Sequence, residues 1–172
     1  MRLSPILPGT RPELAAQEAQ IIAERGRISP LYQVLLNSPE IAHGWEQMLS
    51  AVRNRNSLDA GLRELVILRV AVLNNAPYEF DAHVPHAERA GKSAAAIDAI
   101  RSATLMPDAP WTTAERVALQ LTDAMTRSIV VPDELFAQVR AHFDARAQVD
   151  LVATIGAYNM VSRFLSAFEI GH

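Results

Sequence analysis

The 172-residue chain contains no cysteine. That absence excludes disulfides, thiolate metal sites and any reaction begun by a sulfur nucleophile or a redox-active thiol pair. Long apolar runs are also missing: no stretch approaches the roughly 18 residues of a membrane-spanning helix. Pro5, Pro8 and Pro12 interrupt the start and leave no apolar core for a secretion signal, so a soluble, cytoplasmic protein is expected. Neither sign of charge dominates: 16 Lys and Arg are scattered among 19 Asp and Glu, for a net charge of -3. Such a surface has no electrostatic footprint for nucleic acid or an anionic membrane, and neither is expected as a partner.

What is present is helix punctuation. With 49% apolar residues, the chain suits one domain, residues 1–172, burying roughly 70% of its unfolded surface. Strand-like alternation is nowhere sustained and prolines stand at segment starts, which predicts an all-α fold of about eight helices. Ser38 and Pro39 open a helix to about Val52, and Ser57 with Asp59 opens another to about Leu73. Asn74 and Asn75 end it, since Asn tolerates left-handed dihedrals, and Pro77 starts a further helix that Gly91 ends. The result is a central helical hairpin. Ser93 caps a helix from Ala94 to about Ser102, and Thr112 with Glu115 has capping-box spacing for one to about Arg127. Pro132 opens a helix to about Phe143, and Asp144 caps the last, from Ala145 to near Ile170. That last helix is apolar over more than half its face, which predicts burial nearly all round, partly against another subunit. Residues 1–30 carry more charge on a weak apolar stripe and read as an N-terminal helix or arm.

Ionisable residues inside apolar helices single out the hairpin. Between Leu62 and Leu73 only Arg63, Glu64 and Arg69 are polar. Glu64 shares a helical face with Leu68 and Ala71, Arg69 with Leu65 and Val72, so the two do not pair within the helix and each needs a partner elsewhere. On the next helix Glu79, His83 and His86 fall at i, i+4 and i+7 and project from one face. A hairpin can bring Glu64 to that face, where its carboxylate accepts a hydrogen bond from one ring nitrogen of His83 and leaves the other for a cleft. An imidazole so oriented is a general acid/base. Against this, Glu64 and Arg69 suit a structural salt-bridge network, and His86 suits a solvent-facing position. Glu79, His83 and His86 have spacing that fits a metal, but no second ligand cluster accompanies them, so no metal is assigned. Tyr78 and Trp45 read as core or pocket walls, and Tyr158 and Asn159, which interrupt the apolar last helix, as interface residues.

The segment resembles the carboxymuconolactone decarboxylase family, whose members carry R-E-L-x-I-L-R-x-A, then Asn, then Y-E-x-x-x-H-V-P-x-A-x-x-A-G. Here these are Arg63, Glu64, Leu65, Ile67, Leu68, Arg69 and Ala71, then Asn74, then Tyr78, Glu79, His83, Val84, Pro85, Ala87, Ala90 and Gly91. The stretch from Ile155 to Ile170 is similar to the family's last helix. The wider superfamily includes alkyl hydroperoxidase D, whose pattern of Glu, Cys, Cys and His selects Glu64, Ala76, Glu79 and His83, so both cysteines are replaced and thiol peroxidase chemistry is excluded. The resemblance implies an alkyl hydroperoxidase D-like helical bundle, a homo-oligomer (trimer or hexamer), and a lyase without cofactor or metal. Its substrate would be a small anionic lactone or carbonyl compound. It further implies Glu64, Glu79 and His83 as catalytic acid/base groups, with Arg69, Tyr78 and His86 against the substrate and Arg69 or Arg163 meeting its negative charge. A non-catalytic ligand-binding or oligomeric scaffold is the competing expectation.

Overall fold

A computed structural model describes residues 1–171 and contains, among them, nine α-helices and no strand. They are α1 (Ala15–Arg25), α2 (Pro30–Leu35), α3 (Pro39–Asn54), α4 (Ala60–Leu73), α5 (Pro77–Arg89), α6 (Ala94–Ile100), α7 (Thr113–Arg127), α8 (Asp133–His142) and α9 (Ala145–Phe168). None of the described helices is long and apolar enough to cross a membrane. The all-α expectation holds. One short helix, α2, has no counterpart among the helices expected from sequence, because six residues after Ser29 and Pro30 are too few to display a helical period.

The helix ends follow side-chain chemistry. Asp59 caps α4 by accepting from the Leu62 amide at 3.0 Å. Ser57 takes no part in that cap, since its amide and hydroxyl both donate to Asp150, each at 2.7 Å. Ser38 precedes Pro39 as expected but makes no side-chain cap bond. Thr112 and Glu115 form the full capping box, and Asp144 accepts from the Ala147 amide at 2.8 Å.

Both ends of the hairpin's connections are closed alike. Asn75 has φ 51° and Gly91 φ 84°. At the first, the Ala76 amide donates to Ala71 and the Asn75 amide to Val72; at the second, Lys92 donates to Ala87 and Gly91 to Glu88. This is the Schellman pattern, which satisfies carbonyls left over at a helix end and needs a left-handed residue.

The chain divides into two compact units. The first holds Met1–Arg55 and the residues from Phe164 on. Its interior contains a buried polar knot: Glu46 accepts from Arg25 Nε through both oxygens at 3.1 Å and also from Tyr32 and Ser50. Burial pushes the Tyr32 hydroxyl well above the usual phenol range. Trp45, Phe164 and Phe168 stack in series beside it.

The second unit, Asn56–Arg163, is organised around α4. Ten of the fourteen α4 residues are buried, as its apolar run requires, and α5, α6 and α7 pack around it. Along α9, burial is not all round: Val149 is 68% exposed, and Val152, Gly156 and Met160 are exposed with it. These fall on one stripe of the helix.

Candidate functional site

Three helices of the second unit contribute buried polar side chains to one strip. Glu64 comes from α4, Glu79 and His83 from α5, and Tyr158 and Ser162 from α9. Contacts join Glu79 to Ser162 and His83 to Tyr158. Numbers rise along α5 as they fall along α9, so the two helices run antiparallel and successive turns of each face one another.

At the centre, His83 Nδ1 lies 2.7 Å from Glu64 Oε2. A carboxylate only accepts, so the ring donates its Nδ1 proton to Glu64. Arg63 Nε is 3.8 Å from the other Glu64 oxygen, which places a cation beside this carboxylate. The Tyr158 ring meets the imidazole edge-on, with centroids 5.1 Å apart, and fixes its plane from the α9 side. His86 lies one turn on, its ring centroid 5.6 Å from that of His83. Arg89 Nη2 approaches His86 Nδ1 at 3.0 Å, and since a guanidinium only donates, that nitrogen is an acceptor and carries no proton.

Glu79 is 3% exposed. Its Oε2 shares a hydrogen bond with the Ser162 hydroxyl, while Oε1 is buried with no partner. Burial pushes this carboxyl up to about 8, against the Ser162 hydroxyl, which favours the anion only where it donates to it. Glu79 also sits in the first turn of α5, where the helix dipole favours a negative charge by about 0.3–1 kcal/mol. Displacement from 4.5 to about 8 corresponds to about 5 kcal/mol, so burial outweighs the dipole. At neutral pH the group is a carboxylic acid.

Glu64, Glu79 and His83 are therefore brought together on adjoining helices. Arg69 is not with them. Its guanidinium is wholly buried, 0% exposed. It grips Asp123 at 2.6 and 2.8 Å and donates to the carbonyls of Ile100, Ser102 and Ala103. Those five bonds use every donor of the side chain, so the expectation that Arg69 meets a substrate anion gives way to a structural one. It ties α4 to α7 and to the segment that follows α6. Tyr78 is half-buried and, being one residue before Glu79, points about 100° away from it around α5. It does not share the face of Glu79 and His83. His86 does.

Sequence reasoning missed Ser162, and it treated Tyr158 and Asn159 as interface residues. All three have partners within the chain. Asn159 accepts from Asn74 Nδ2 at 3.0 Å and donates to Thr126 at 2.9 Å, pinning the hairpin turn and α7 to α9. Arg163 Nη1 is tied to the Asn159 carbonyl and side chain at 2.9 and 2.7 Å. A signal for the α9 contribution was present in the i, i+4 spacing of Tyr158 and Ser162 within an apolar helix. Among the described residues, no three His, Asp or Glu side chains are grouped so as to hold a metal ion.

Comparison with known proteins bears on the family and the fold. The model of the Carboxymuconolactone decarboxylase family matches residues 39–124. The uncharacterized protein YdfG of Bacillus subtilis is 31% identical over 111 residues, covering 63% of this chain and 74% of that protein. A crystal structure of a protein of unknown function from Agrobacterium tumefaciens, suggested to be the antioxidant defence protein AhpD, superposes with a TM-score of 0.72 at 27% identity. The match covers 80% of this chain and 94% of that one. An alkylhydroperoxidase AhpD core protein from Ralstonia eutropha shares the fold with a TM-score of 0.81 at 16% identity, over 97% and 90% of the two chains.

Proposed function

Because this chain belongs to the carboxymuconolactone decarboxylase family, we propose that it is a cofactor-independent proton-transfer enzyme, of lyase type, acting on a small lactone or related carbonyl compound. The observation that supports this most is the 2.7 Å contact between Glu64 and His83 Nδ1. It orients one imidazole and makes Nε2 the working nitrogen.

In the decarboxylation after which the family is named, the bond from the ring to the carboxylate carbon breaks and carbon dioxide leaves. The electron pair passes into the conjugated lactone carbonyl as a dienolate. His83 Nε2–H then delivers a proton to the carbanionic carbon, and the imidazole regains its proton from water. Glu64 holds Nδ1–H throughout and offsets the positive charge of the imidazolium, with Arg63 steadying Glu64 from behind. Of the two arginines considered for a substrate carboxylate, Arg69 is fully engaged, and Arg163, one residue past Ser162, points about 100° away from it around α9 and is tied to Asn159, so neither is assigned to the substrate. A sulfur-based peroxidase mechanism has no nucleophile here, because the chain has no cysteine.

The test is turnover of a carboxymuconolactone-type lactone, with a panel of lactones and keto acids in heavy water monitored for deuterium at the carbon beside the carbonyl. His83→Ala should lose at least about 100-fold in rate while its circular dichroism and melting stay those of the parent. Equal turnover by parent and variant removes His83 from the mechanism. If the variant does not fold, Glu64→Gln replaces it in the same assay. Binding without turnover by the parent favours the non-catalytic ligand-binding alternative.

Family membership also carries the proposal of a trimer or hexamer, and the exposed apolar stripe of Val149, Val152 and Met160 along α9 supports it.

A further inference from the structure

Ser162 has two oxygen neighbours and one proton to give. Its Oγ contacts Glu79 Oε2 and also lies 2.9 Å from the Tyr158 carbonyl one turn back in α9. A hydroxyl donates once. A serine inside a helix commonly gives that proton to the carbonyl four residues earlier, which has a second lone pair to accept it. If it does so here, the bond to Glu79 closes only when Glu79 is the donor, through a proton on Oε2. The opposite arrangement leaves a carboxylate anion buried with one hydroxyl, no cation among the described residues holding its charge, and one oxygen bare, which is the costlier state. The proton count and the burial therefore agree on a neutral acid whose hydrogen is already committed to Ser162. What remains is Oε1, a carbonyl oxygen, buried and without a partner. Such an oxygen can only accept.

Oε1 belongs to the residue one helical turn before His83, on the same face of α5. We propose that Glu79 is a fixed hydrogen-bond acceptor of the site, and that the ligands it selects are small cyclic carbonyl compounds carrying an N–H or O–H donor. This rests on the proton-transfer reading only in placing the ligand beside His83. It moves Glu79 from the acid/base role expected from the sequence to a binding role, because an acid whose proton is held by Ser162 does not cycle it.

The probes are γ-butyrolactam and γ-butyrolactone, which have the same ring and carbonyl and differ in N–H against ring oxygen. Their affinities for the full chain are read by NMR titration at neutral pH. The lactam should bind more tightly, by up to about tenfold, the range of one neutral hydrogen bond. Glu79→Gln keeps a carbonyl oxygen at Oε1 and an amide N–H for Ser162, and should retain the preference. Glu79→Met should abolish it. In a ¹³C-glutamate-labelled sample, the carboxyl signal missing from Glu79→Gln should report the protonated form at pH 7. Equal binding of the two probes, binding of neither, a preference that survives Glu79→Met, loss of the preference in Glu79→Gln, or an ionised carboxyl at pH 7 would each overturn the assignment. No arm reads turnover. A failed His83→Ala experiment therefore sinks the proton-transfer reading while leaving this preference intact, and the reverse also holds.

Discussion

Glu79→Gln should stabilise the protein at alkaline pH, and by an amount that grows with pH in a defined window. Burial raises the Glu79 carboxyl from 4.5 to about 8 in the folded chain. Below 4.5 the carboxyl is protonated in both folded and unfolded chains, and its contribution is fully present. Between 4.5 and about 8 the unfolded chain has released the proton and the folded chain has not, so the folded state binds more protons and stability falls as pH rises. The slope is about 1.4 kcal/mol per pH unit, and the whole window sets a ceiling of about 5 kcal/mol. Glutamine has the same shape, can donate to Ser162, and never ionises, so this component is flat in the variant. Glu64, His83 and Arg63 are present in both proteins and cancel in the difference. Urea denaturation of parent and variant at half-unit intervals from about pH 5 to 9 measures it. The stability advantage of Glu79→Gln should climb through about pH 5 to 8 and level off above. Parallel curves would show that Glu79 ionises as an ordinary surface carboxylate does, and the account of its burial would be wrong.

Glu64→Gln cannot offset an imidazolium and should lower turnover by about 100-fold or more, with substrate affinity changed far less, as kcat and KM determined separately will show. Arg69→Ala leaves Asp123 with Arg127 at 3.7 Å and takes the guanidinium from the Ile100 and Ser102 carbonyls, while Ala103 keeps its bond from Arg127; it should cost about 3 kcal/mol in denaturation midpoints, and a near-neutral change would contradict its structural assignment. Thr112→Ala removes one half of the capping box on α7 and should cost about 1 kcal/mol in the same measurement. On the proposal that the exposed stripe of α9 carries assembly, the parent should sediment as an oligomer and Met160→Glu, which puts a charge on that stripe, should shift it toward monomer; a monomeric parent or an unchanged mass would refute it.

The hairpin was legible because its signals are local. An almost unbroken apolar run fixes α4 as a central helix, Asn75 and Gly91 supply the left-handed residues, and Pro77 fixes where α5 begins. The partnership of Glu64 with His83 was legible for a similar reason: a carboxylate in an apolar helix needs a partner, and the next helix offers its imidazole on one face. Arg69 shows what local pattern omits. Its burial was readable, but its partner Asp123 lies 54 residues away on α7, and only the docking of α7 on α4 decides that the two charges meet. Ser162 was silent because a lone serine in an apolar helix is usually satisfied by its own backbone. Its contact with Glu79 exists only once α9 lies antiparallel against α5. Tyr78 could have been set aside from periodicity alone, since neighbours in a helix do not share a face.

The two carboxyls of the strip differ in what stands opposite their charge. Glu64 has an imidazole N–H at 2.7 Å and a guanidinium at 3.8 Å, and both are suited to a negative group. Glu79 has a hydroxyl on one oxygen and nothing on the other. Acidic side chains of one chemistry, a helical hairpin apart, are thereby given different surroundings, one beside an imidazole N–H and a guanidinium and the other beside a lone hydroxyl, and such a difference is what lets a fold separate a charge-bearing role from a neutral one. In the alkyl hydroperoxidase D pattern, the position of Glu79 is that of a cysteine. Under the proposed reading that position passes from a group that must ionise to act to one that burial keeps neutral, while His83, one turn on along α5, keeps its contact with Glu64 of α4.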